Sequence, residues 1–134
     1  MHNMATETNK GMVVFQPKSR KDWRKWLIKN SQTAKEICLV ISHKRITTGI
    51  HYAEAVEEAL CFGWVDSLTN NRDEGSFYQR FSPRKPKSNW SEINIERVER
   101  MIREGLMTEQ GQKMIDIAKQ NDTFKPRVVV KIQV

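Results

Sequence analysis

Arg80, Arg84, Lys85 and Lys87 lie close together in the stretch "RFSPRKPKSNWS" (Arg80 to Ser91), interrupted by Pro83 and Pro86 and followed by Trp90. Two guanidinium forks among four cations suit a carboxylate or a phosphate, which arginine can grip with two prongs where lysine offers a single point charge. Each proline fixes its own φ near about −65° and pushes the residue before it, Ser82 or Lys85, towards extended geometry. A segment stiffened this way loses little further entropy when Arg84 and Lys87 engage a partner. Trp64 and Trp90 offer flat faces beside the cations for a base, a sugar or an aromatic ring. A helix starting near Ser91 adds unpaired N–H groups that favour an anion at that end. The candidate ligand site is therefore Trp64, Asp66, Arg80, Arg84, Lys87, Ser88 and Trp90, facing one hollow between a hairpin and a helix N-terminus. The same residues also support a structural reading: Trp90 plugs the core, Asp66 pairs with Arg80 or Arg84, and the prolines end the hairpin.

Other chemistry is thinner. A nucleophile with a base needs a histidine beside Ser or Cys, and His43 and His51 are the only internal histidines. Cys61 falls in an apolar helical segment, a poor setting for a reactive thiolate. Cys38 and Cys61 are far apart in apolar surroundings, which reads as two free buried thiols in a reducing compartment. No paired-cysteine or His-to-His spacing suggests a metal, and no phosphate-cradling glycine loop suggests a nucleotide cofactor. Glu54, Glu57 and Glu58 share one helical stripe near Asp66 and are the carboxylates that an acid–base enzyme would use. The plainer reading of that stripe is the wet face of a helix, so no residue is assigned a catalytic role.

The elements that must position these residues follow from periodicity and punctuation. "MVVFQP" reads as an edge strand closed by Pro17. Ser19 caps a helix over about 21–29, where Trp23, Trp26 and Leu27 form a buried stripe. "EICLVISH" is β-branched, continuous and too short for a typical helix, hence a central strand. Tyr52, Val56 and Leu60 share the face of a mostly buried helix that Gly63 stops. "WVDSL" and "SFYQRF" form a hairpin with Phe77, Gln79 and Phe81 on one face and Tyr78 and Arg80 on the other. Ser88 or Ser91 then caps a helix running to about Glu104, with Ile95, Val98 and Ile102 as its seam. Thr108 caps another, carrying Met114, Ile115 and Ala118, and the two make a C-terminal helical hairpin. The sum is an α+β fold, a small sheet containing the hairpin and packed with helices. Residues 1–11 read as a disordered tail, 12–122 as a single domain, and 123–134 as a β-prone tail with Val128, Val130, Ile132 and Val134 on one face.

Four blocks, "WRKWLIKN", "YAEAVEEALCFGWVDS", "YQRFSPRKPKSNWSEIN" and "GLMTEQGQKMIDIAK", resemble the YdeI/OmpD-associated family, also called bacteriocin-protection proteins. They run in family order over roughly Phe15 to Lys119. The tail "NDTFKPRVVVKIQV" departs from the family pattern, in which "G-x-W" and a further helical segment are expected. The resemblance implies a link to envelope stress or antimicrobial-peptide resistance and carries over no catalytic residue.

The chain has 134 residues and a formal charge of +7, which favours anionic partners. That charge is uneven: basic groups cluster at Lys18–Lys29 and Arg80–Arg103, with acidic ground between Glu54 and Glu74. The expected partner is an anionic small molecule or an acidic protein segment, with nucleic acid as the second class. No run of apolar residues is long enough to span a bilayer, and the N-terminus lacks a secretory signal, so the expected location is the cytoplasm.

Overall fold

The computed structural model describes residues 6–125. Nine elements follow in chain order: β1 (Thr8–Asn9), β2 (Met12–Phe15), α1 (Arg20–Asn30), β3 (Ile37–Ser42), α2 (Tyr52–Cys61), β4 (Trp64–Asn71), β5 (Ser76–Pro83), α3 (Glu92–Arg103) and α4 (Glu109–Gln120). The strands form one mixed sheet in the order β1-β2-β3-β5-β4, and the fold is α+β. β2 and β3 are parallel; the other neighbours are antiparallel. β3 is central, as its unbroken apolar run requires. β2, expected at an edge, is instead flanked by β1, which grows from the segment expected to be a disordered tail. Residues 126–134, with the β-prone pattern of the chain's end, lie outside the described residues.

One face of the sheet carries Ile37, Leu39, Ile41 and Phe81 and is buried with Trp23, Leu27, Leu60 and Trp64. Trp23 donates its indole N–H to the Ala55 carbonyl at 3.0 Å, so α1 meets α2 through a bond as well as a packed ring. Trp26 stacks on Trp23 and meets Trp64 edge-on, which confirms the tryptophan stripe of α1 as core. The hairpin alternation holds, with Gln79 and Phe81 buried. On the opposite face the N-terminal segment reaches back: Asn9 contacts the Cys38 sulfur at 3.7 Å, and Glu7 accepts from Tyr78 and from Arg72. Both cysteines are free and buried.

α2 is the hub against which α1, α3, α4 and β4 pack. Gly63 turns the chain out of it at φ 75°, with Met114 and the Gln110 carbonyl so near that a Cβ would crowd both. α4 abuts the end of α2 even more closely: a Cβ on Gly111 would sit 2.3 Å from the Cys61 carbonyl oxygen. Thr108, the N-cap of α4, donates to that same carbonyl through its backbone N–H at 3.2 Å and its hydroxyl at 2.5 Å. The seam of α3 differs from the expected one. Val98 and Met101 are buried and Ile95 half-buried, an i, i+3, i+6 row, while Ile102 is one position further round and 45% exposed.

The acidic stripe of α2 is the larger correction. Glu57 is 5% exposed and Glu58 only 2%, so two of the three carboxylates are interior. Arg20 bridges them, Nη1 to Glu57 Oε1 at 2.8 Å and Nε to Glu58 Oε2 at 2.5 Å. Arg24 Nη1 donates to Glu58 Oε1 at 2.8 Å, and Arg100 donates to Glu57 Oε2. Arg24 also donates to the Leu106 carbonyl at 2.8 Å, which ties α1 to the turn between α3 and α4. The stripe reads as solvated only while α2 is considered alone; α1 and α3 bring the guanidinium groups that let it be buried. No described helix is long and apolar enough to cross a membrane.

Candidate anion-binding site

The residues expected to share one hollow separate into three places. Trp64 is fully in the core, donating its indole N–H to the Ser31 carbonyl at 3.0 Å, and offers no face to a ligand. Asp66 accepts the phenol of Tyr52, whose own pKa is pushed up to about 12 by burial and by that carboxylate. Neither Arg80 nor Arg84 forms an ion pair with Asp66 among the described residues. Arg80 pairs with Cys38 in the β3–β5 register, which puts it on the face opposite Phe81. There its Nε donates to Glu36 at 2.9 Å and its Nη1 to Ser67 at 3.1 Å, so its charge is already matched. Arg80, Trp64 and Asp66 therefore leave the candidate site.

Arg84 and Trp90 remain, and they are in contact. The Arg84 guanidinium lies over the Trp90 ring, 3.9 Å from its centre. Pro83 ends β5, and the Arg84 backbone N–H is taken at 2.8 Å by the Gly63 carbonyl, which pins the loop to the turn after α2. Nη2 donates to the Asn89 carbonyl at 2.7 Å. Nε and Nη1 are buried with no partner among the described residues. The residue is only 7% exposed, so these donors are withdrawn from bulk solvent and meet no protein acceptor among the described residues. Each such buried orphan costs about 1–3 kcal/mol. Burial pushes the guanidinium down to about 10, the distant charge of Asp66 opposing, and it stays cationic at neutral pH.

Beside Trp90 lies a hollow of about 710 Å³ lined by Asn89, Trp90, Ser91 and Lys125, with the Arg84 guanidinium stacked on the indole. Ser91, not Ser88, caps α3, accepting from Asn94 N at 3.2 Å. Ser88 instead closes a turn, donating its hydroxyl to the Lys85 carbonyl at 2.9 Å. Lys85 and Lys87 are exposed on that turn. Trp90 is 4% exposed: Arg84 takes one face and Phe124 meets the ring edge-on at 5.1 Å between centres. The expected aromatic platform is therefore closed. Asn89, Phe124 and Lys125 were not among the sequence candidates. The signal for Phe124 is present all the same in "NDTF", where an αL-tolerant residue after a helix precedes an apolar one, as in a Schellman ending.

The remaining chemical groups are occupied. Burial raises the Glu57 carboxyl, but the bonds from Arg100 and Arg20 outweigh it and hold the pKa below its ordinary value. Burial, with Glu58 adding, pushes the Cys61 thiol up to about 11. His51 donates Nε2–H to the Ile46 carbonyl at 2.7 Å, and His43 packs on Phe77. A second hollow, about 610 Å³ beyond the carboxyl ends of β2 and β3, is lined in part by Lys18, Ser42, Arg72, Asp73 and Ser76. Its arginine is held by both oxygens of Glu7 at 2.9 and 3.0 Å, and Asp73 is held by Gly75 N and the Ser76 hydroxyl. Among the described residues no group of three or more His, Cys, Asp or Glu is arranged to hold a metal.

No curated protein and no solved structure matches the chain. Residues 15–114 match the model of a domain of unknown function (DUF8412), more than half of the chain, which therefore belongs to that family.

Proposed function

We propose that the chain is a non-enzymatic binding module that accepts an anionic group, from a small molecule or an acidic protein segment, at Arg84. The observation that carries this reading is the pair of unpartnered donors on a buried, cationic guanidinium. Natural interiors seldom leave such groups unpaired, and an absent polar ligand is one of the few physical reasons for doing so. The hollow beside Trp90 is lined by Lys125, which pairs with Asp122 at 2.8 Å on the exposed surface. The resemblance to YdeI/OmpD-associated proteins supports placing the module in envelope stress or antimicrobial-peptide resistance. A chain of net charge +7 repels cationic peptides, so that role runs through an anionic ligand and not through sequestering the peptide. Thermal unfolding in phosphate, sulfate and acetate tests the reading. Wild type and Arg80→Ala should be stabilised alike, and Arg84→Met should not respond; an unchanged response in Arg84→Met removes the site.

Nucleic-acid binding is a second reading, favoured by Lys21, Lys25 and Lys29, which are exposed along one stripe of α1. It predicts retention on filters that falls steeply between low and moderate salt, because released counterions drive such binding. Absence of retention at low salt rules it out. Catalysis by the Glu54–Asp66 carboxylates gains no support, since Glu57 and Glu58 have each oxygen bonded to an arginine.

A further inference from the structure

Arg84 poses a problem of access. A residue 7% exposed cannot exchange a ligand with solvent unless something moves. Its partners are the Gly63 carbonyl, the Asn89 carbonyl and the buried Trp90 ring. The segment that packs on that ring from the other end of the chain is different. The segment Asn121–Lys125 leaves α4 and folds back over Trp90, with Phe124 against the indole and the Thr123 carbonyl accepting the Trp90 backbone N–H at a long 3.3 Å. Asn121 Nδ2 touches the Pro86 carbonyl at 3.5 Å, the limit of a hydrogen bond. The attachments across to the 86–90 loop are few, weak and partly solvated, and the segment's other bonds run to its own helix end at Ala118, the profile of a segment that opens before the domain unfolds.

The segment also has a defined pivot. Asp122 sits at φ 58°, a conformation that costs a residue with a Cβ. Asp122 N donates to the Lys119 carbonyl at 3.3 Å and Thr123 N to the Ala118 carbonyl at 2.8 Å, the paired bonds of a Schellman ending. Glycine is the usual residue at this position, so the closed form is held less firmly than the motif allows.

We propose that Asn121–Lys125 is a cover over the Arg84 site, that it pivots at Asp122 to release Trp90, and that it admits a compact oxyanion, a phosphate or carboxylate group carrying no aromatic ring. The inference rests on the Arg84 reading above and adds what the site takes and how. Exclusion of rings follows from Trp90, which has one face stacked by the guanidinium and is only 4% exposed. With Nη2 committed to Asn89, the free donors Nε and Nη1 lie on different edges of the guanidinium, so a compact oxyanion takes a single charge-assisted bond from one of them.

Three variants of the full chain test it by stopped-flow and calorimetric titration with inorganic phosphate, acetate and adenosine monophosphate. Hydrogen exchange at the Trp90 backbone N–H reports opening directly. Phe124→Ala should speed both that exchange and phosphate association by about tenfold, the loss of one aromatic contact. Asp122→Gly should slow both by about threefold, because it relaxes the closed pivot. Adenosine monophosphate should bind no more tightly than inorganic phosphate. Arg84→Met should bind none of the three. Phosphate association unchanged in both Phe124→Ala and Asp122→Gly, with binding still lost in Arg84→Met, overturns the cover and leaves the anion site standing. Tighter binding of the nucleotide overturns the exclusion of rings. No anion binding by wild type or by Phe124→Ala overturns the cover and the site together.

Discussion

Arg20, Arg24 and Arg100 meet two buried carboxylates, and all four carboxylate oxygens accept a guanidinium bond. Arg84, deep in its own loop, meets no carboxylate among the described residues and keeps two donors unpaired there. Both clusters take charge out of water; only the first restores what was lost. The difference teaches that charge density along the chain says little about use. The Glu57–Glu58 network fastens α2 to α1 and α3 and leaves nothing for a ligand. Arg84 stabilises its loop through one carbonyl and one indole, and its remaining valence faces no protein group.

The comparison can be broken first at the network. Arg20→Ala removes one partner from each carboxylate and leaves buried charge undercompensated; breaking such a pair costs about 3–5 kcal/mol. Denaturant unfolding of the variant measures it, and a loss under about 1 kcal/mol would mean that the network is worth no more than a surface pair. Acid sharpens the same point. The Glu57 carboxyl is held below its ordinary 4.5, so its contribution is present above that value and is lost as pH falls through the lower, folded-state value. Stability should therefore fall below about pH 4.5, and Glu57→Gln, less stable at neutral pH, should show a shallower acid slope.

Arg84→Met should behave in the opposite way. It forfeits the Asn89 bond and the stacking on Trp90 but also removes two orphaned donors, and these terms offset to within about 1 kcal/mol. Near-wild-type melting in anion-free buffer is the expected result. A loss comparable to that of Arg20→Ala would make Arg84 a structural residue and erase the contrast. The smallest effect is at the pivot. Asp122→Gly should stabilise by about 0.5–1 kcal/mol, since a left-handed position suits glycine. The exposed Asp122–Lys125 pair it deletes is worth little.

Much of the fold is written locally. Ser19 before Trp23 and Leu27, the unbroken run of β3, the alternation of β5 and the stop at Gly63 each rest on neighbours a few positions away, and each stands. The burial of Glu57 and Glu58 is not local: their partners come from helices 34 to 43 positions away. β1 spans two residues, too few for any period to show. The site was half legible. Its stiff loop and Trp90 were visible, but gathering Arg80 with Arg84 overlooked the strand alternation that sends Arg80 to the far face. The role of Trp90 as a stacked partner, with no open face, depends on Phe124 returning after α4, a tertiary contact that no periodicity encodes.

The N-terminal segment leaves one further consequence. With Asn9 against the Cys38 sulfur and Glu7 anchored on Tyr78 of β5, three strands along the sheet from β1, a thiol that burial already makes sluggish is screened by the segment around Glu7–Asn9. Alkylation of Cys38 under native conditions then becomes a clock for that segment peeling back, read by mass spectrometry as the added mass of the alkyl group. Neutralising Glu7 should make the clock run faster while Cys61, locked behind α4, serves as its internal standard.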